Sequence, residues 1–137
     1  MQDHEEPLSL VLVSGTDDKL NAAAILAVGA AAMGRPVNVF LQYYALRAFR
    51  AGTLRADHAL ASEATEDLSP VIRAHGTPHW SELLQQAKDV GEVNIQACAL
   101  SMDMFRLKHD DLDPLVDGVE GVAAFMASAG TGQVVFI

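Results

Sequence analysis

The sequence predicts an α/β sandwich built on a mainly parallel sheet. Three observations lead there. Residues 8–13 read LSLVLV, a continuous apolar run suited to a strand buried on both faces. An Ala-rich helical pattern follows, and a second apolar run, VNVFL, comes after it. Strand-like and helix-like segments then alternate to the last residue, as in a parallel sheet with crossover helices.

Each element has its own signal. After the first strand, SGTDD carries a turn glycine, Gly15, and helix-capping candidates in Thr16 and Asp17. Residues 18–34 form the first helix, with Gly34 as its stop. Pro36 sits at the entry of the second strand, RPVNVFLQ, and completes a strand–helix–strand unit. Small residues on nearly every side of the first helix fit close packing on the sheet, and equally fit a subunit interface. Residues 43–52 read as a short helix. The stretch 54–76 is polar and mixed, so residues 50–79 are expected as a surface excursion over the body. Trp80, Leu83, Leu84 and Ala87 lie at helical spacing, and Gly91 ends that helix. EVNIQAC is the third strand, residues 99–107 a helix, and residues 115–117 a very short strand. VEGVAAFMASAG is the last helix and QVVFI the last strand. The 137 residues fit one domain, 1–137, with residues 1–7 as a flexible N-terminus.

Composition narrows the function. Half of the chain is hydrophobic and a fifth is charged, which supports a packed core and opposes disorder. The net charge is -9, which opposes nucleic acid and anionic membranes as partners, because both are bound mainly through Lys and Arg. A local basic patch at Arg47, Arg50 and Arg55 still suits a small anion. One cysteine excludes an intrachain disulfide, a CxxC pair and a thiolate zinc cage. MQDHEEP is acidic and lacks a secretory pattern, and no apolar run reaches the roughly 20 residues of a membrane helix. A cytoplasmic protein is expected, without metal or other cofactor.

Ligands of open parallel sheets bind beyond the carboxyl ends of the strands. That edge collects Ser14, Gly15 and Thr16, then Tyr43, then Cys98 with Ala99 and Ser101. A helix opening at Ala99 would favour a thiolate or persulfide on Cys98 through its free N–H groups. Free cysteine is also among the most buried residue types, and position alone leaves packing ahead of chemistry. His75 and His79 flank GTP, which is poor metal spacing, although either suits anion binding or proton transfer. The SGT loop lacks the Walker and GxGxxG patterns of nucleotide loops. Met102, Met104 and Phe105 read as core or contact residues.

The segments LVLVSGTDDKLNAAAILAVGAAAMGRPVNVF, VNIQACALSMDMF and LVDGVEGVAAFMASA, followed by VVFI, resemble the DsrE/DsrF-like sulfur-relay proteins. The similarity runs from about residue 8 to 137, with residues 50–72 adding little. It implies a three-layer α/β/α fold with about five strands and an oligomer, homo- or hetero-, of which a homo-oligomer is expected here. It also implies sulfur held as a persulfide on one cysteine, which maps onto Cys98. Exchange partners would be small carriers of the TusA type or rhodaneses. Two departures stand out. Phe105 takes the place where similar sequences often have glycine, and no second cysteine is present. A relay between two thiols of one subunit has no second thiol here, while a single-cysteine carrier is chemically sufficient. A non-catalytic oligomeric binding module with an inert, buried Cys98 stays open beside it.

Overall fold

The computed structural model describes residues 6–137. Residues 1–5, most of the expected flexible N-terminus, lie outside the described residues. Glu6 is tied down at both its carbonyl and its carboxylate, which accept from Arg35 Nε and Thr131 Oγ1 at 2.9 Å each.

Five strands make one sheet: β1 (Leu8–Leu12), β2 (Val37–Leu41), β3 (Val93–Cys98), β4 (Gly118–Glu120) and β5 (Gln133–Phe136). Their order is β4-β3-β2-β1-β5, and every pairing is parallel. The central strand β1 is buried along all five residues, as its unbroken apolar run requires. The connections carry helices α1 (Asp17–Ala32), α2 (Tyr43–Ala48), α3 (Ser69–His75), α4 (Trp80–Val90), α5 (Ala99–Met104) and α6 (Val122–Ala129).

Alternation along the strands divides the interior into two layers. Leu10, Leu12, Val39, Leu41, Ile95 and Ala97 point to one face and pack with α1, α4, α2 and α5. Val11, Phe40 and Cys98 point to the other and pack with Phe125 of α6. The result is a three-layer α/β/α sandwich with one thick and one thin helical layer. On α1, Leu20, Ala23, Ala24, Ala27, Ala30 and Ala31 are buried. Its other side leaves Ile25 and Leu26 exposed, and Met33 at its C-cap is exposed as well.

Four boundaries differ from expectation, the first being the helix expected over 43–52, which ends at Ala48. The short strand expected at 115–117 lies at Gly118–Glu120. A turn occupies the expected place: Leu115 N–H donates to the Asp113 carboxylate at 3.0 Å and Val116 N–H to the Asp113 carbonyl at 2.9 Å. The last helix accordingly starts at Val122. The helix expected over 99–107 ends at Met104, and Arg106 adopts a left-handed φ of 55°.

Only α3 gives the excursion regular structure, and none of its residues is buried. The first turn of α1 fastens the rest. Asp17 accepts from His58 N–H at 2.9 Å and from Trp80 Nε1 at 3.0 Å, and Asp18 accepts from Ala61 N–H at 3.0 Å. Those acidic residues at a helix N-terminus also suit the dipole there.

Candidate functional site

The sheet brings the expected site residues to one edge but distributes them between two places. Cys98 ends β3 and immediately precedes α5. Its side chain turns to the thin face, where it is 5 % exposed among Val11, Phe40 and Phe125. Phe40 and Phe125 stack with ring centroids 4.7 Å apart and planes 14° apart. The thiol thus lies at the edge where ligands are expected, under the single layer that α6 provides.

Glu120 is the neighbour that sequence reading missed as a site residue. It is the register partner of Cys98 on β4, so both side chains rise from the same face of adjacent strands. Burial pushes its carboxyl above the ordinary value of 4.5. The signal was present in the DGVE run, but its meaning depended on a register that only the sheet supplies.

Ala99 opens α5 and is exposed, whereas Ser101 is buried and accepts the Tyr43 N–H at 3.2 Å. Tyr43 adopts φ 47°, a left-handed backbone that costs energy in a residue with a side chain. That bend turns the chain from β2 into α2. Gly15 fits against the same bend, because a Cβ there would overlap the Tyr44 carbonyl.

Ser14, Gly15 and Thr16 line a cavity of about 530 Å³, together with residues of α2 and the excursion. Arg47, Arg50 and His58 contribute its basic groups and Asp57 its carboxylate. Tyr43, Ala99, Ser101 and Cys98 are not among its lining residues. The Ser14 and Thr16 hydroxyls stand 3.1 Å apart.

The two histidines of the GTP segment are separate in role. His75 is exposed and bonds Thr77 Oγ1 at 3.0 Å. His79 caps α4: its Nδ1 accepts the Ser81 N–H at 3.2 Å. Desolvation holds its pKa below the ordinary 6.5. Among the described residues, no group of three or more His, Cys, Asp and Glu is arranged to hold a metal ion. Nor is any helix there long and apolar enough to cross a membrane.

A model of the DsrE/DsrF/DrsH-like family matches residues 4–65 and 53–137. The uncharacterized protein YrkE of Bacillus subtilis (strain 168) is 28 % identical over 158 residues, covering 98 % of this chain and 98 % of that protein. Among solved structures, the protein of unknown function MTH1491 from Methanobacterium thermoautotrophicum superposes with a TM-score of 0.61 at 14 % identity. That match covers 97 % of this chain and 100 % of the other, and it is a likeness of fold.

Proposed function

We propose, on the premise that this chain belongs to the DsrE/DsrF/DrsH-like family, that it is a cytoplasmic sulfur carrier with sulfurtransferase-like chemistry at Cys98. One observation carries the reading. The family's motif cysteine is the last residue of β3, at the carboxyl edge of a parallel sheet, packed among the described residues against Phe125 of α6.

The chemistry needs a single thiol. Cys98 gives up its proton, for which Glu120, its register partner on β4, is the candidate acceptor. The thiolate attacks the outer sulfur of a donor persulfide, R–S–SH. The donor S–S bond breaks, R–S⁻ leaves, and Cys98 holds the sulfur as Cys–S–SH. A partner thiolate then attacks that outer sulfur and releases Cys98. A small carrier of the TusA type or a rhodanese suits the exchange. With no second cysteine in the chain, the sulfur leaves to another molecule or another subunit.

Self-association fits the same face. Val122 and Met126 of α6 are exposed, as are Val134 and Phe136 of β5, and no charged residue occurs within α6. Such a patch suits a homo-oligomer contact.

The test is direct. Native protein is incubated with polysulfide, and the Cys98 peptide is weighed. One added sulfur, removable by a thiol acceptor, is the expected result. Absence of added sulfur on native protein, when the unfolded chain takes it up under the same conditions, would sink the reading. That outcome would support a second reading, favoured by the 5 % exposure of Cys98: an oligomeric binding module in which the thiol only packs.

A further inference from the structure

The cavity beside the β1 loop does not include Cys98 among its walls and has a chemistry of its own. We infer that it binds a small organic oxyanion: a tetrahedral phosphate or sulfonate head on a planar, apolar body. The inference stands whether or not Cys98 carries sulfur.

Charge is the first argument. Arg47 and Arg50 both line the cavity, and Asp57 is its one carboxylate. Among the described residues, no carboxylate oxygen lies within 4.0 Å of either guanidinium. Arg55, the third arginine of the same sequence patch, pairs instead with Asp113 at 3.5 Å. In a chain of net charge -9, two arginines in one concave wall are a local reversal of sign.

Preorganisation is the second. The Arg47 guanidinium sits 5.5 Å from the centre of the Phe105 ring. An arginine held over an aromatic face loses less freedom when it grips an anion. Phe105 follows the Met-rich run of the cysteine motif, so this chain's own residue at that position orients an arginine of the cavity.

Position and size complete the case. Ser14 and Thr16 add hydroxyl donors on the loop after β1. The loop after β1 and the start of α2 after β2 lie beyond the carboxyl ends of two adjacent parallel strands, the side on which such sheets bind ligands. About 530 Å³ is the volume of a cleft for a small organic molecule and exceeds what a bare tetrahedral ion needs. The exposed ring of Tyr44, with Ala48 and Ala56, supplies the apolar wall for that body.

Titrating the full chain with phenyl phosphate and with benzenesulfonate, followed by backbone amide shifts, tests the site. The expected result is saturable shifts at Gly15, Thr16, Tyr44 and Thr53. The tighter of the two probes names the head group. Inorganic phosphate binds at least about tenfold more weakly, since it leaves the apolar wall unused. Arg50→Gln weakens the better probe by about tenfold, the value of a charge-assisted hydrogen bond. Among the described residues Arg50 stacks on no ring, so its loss leaves the Arg47–Phe105 pair in place, and Arg47→Gln gives a second reading of the same effect. Failure of both probes to saturate would overturn the inference. So would shifts that map elsewhere, equal affinity for inorganic phosphate, or wild-type affinity in both arginine variants.

Discussion

The two faces of the sheet use the same strands for different ends. On the thick face, Leu10, Leu41, Ile95 and Ala97 are completely buried under α1 and α4 and the short helices beside them. On the thin face, the alternate positions are Ser9, Asn38 and Gln96 as well as Val11, Phe40 and Cys98, and among the described residues α6 is the helix that packs on them. Of α6, only Phe125 and Ala129 are buried. The contrast teaches that stability is concentrated on one face. The other keeps a single helical cover over the thiol, and a free apolar surface around it.

The largest effect should come from the thick face. Leu10→Ala removes a fully buried side chain from the central strand and should cost about 2–5 kcal/mol in denaturant unfolding. Phe125→Ala on the thin face should cost less than Leu10→Ala and fall at the foot of the usual range for such a change, about 3 kcal/mol, because the surrounding α6 is exposed and can settle onto the gap. It should also speed thiol labelling of Cys98 far more than Leu10→Ala does at matched stability. Equal costs at the two sites would break the comparison.

Smaller effects sharpen it. Asn38 Nδ2 donates to Ser9 Oγ at 3.2 Å and to the Ser128 carbonyl at 3.3 Å, so it fastens the end of α6 to the sheet. Asn38→Ala should cost about 1 kcal/mol by unfolding, with faster amide exchange in α6 than elsewhere.

The smallest effects are in pH dependence, and the two faces should differ in sign. Burial raises the Glu120 pKa above 4.5. Its contribution is full below that value and is lost as pH rises through the raised folded pKa. Glu120→Gln should therefore flatten a decline in stability on the alkaline side of pH 4.5. Desolvation lowers the His79 pKa below 6.5. Its contribution is full above 6.5 and is lost as pH falls toward the depressed folded value. His79→Asn keeps a capping residue and should remove that acid-side loss. Thermal melts of both variants between pH 4 and pH 8 check the two signs.

Much of the architecture was legible in the chain. LSLVLV and VNVFL announced buried parallel strands, and the order of strands and helices matched the three-layer sheet. Boundaries after α5 were not legible, because Asp113 diverts the backbone N–H groups of Leu115 and Val116 into a turn and delays β4 by three residues. The edge location of Cys98 followed from strand order. Its depth did not, because burial depends on Phe125, distant in sequence and stacked on Phe40. Nor could the sequence reveal that Ser14 to Thr16 face Arg47 and Arg50 in one cavity while Cys98 lies under α6. That division arises from alternation across the sheet, since neighbours at one edge can serve opposite faces.

The decisive measurement is the free energy of the opening that exposes Cys98, from native-state thiol labelling, set against the free energy of global unfolding of the same protein. A thin, separable cover predicts labelling through a local opening well below the global value, lowered further in Phe125→Ala. Labelling that requires the full global unfolding free energy, in wild type and variant alike, would contradict a working thiol beneath α6.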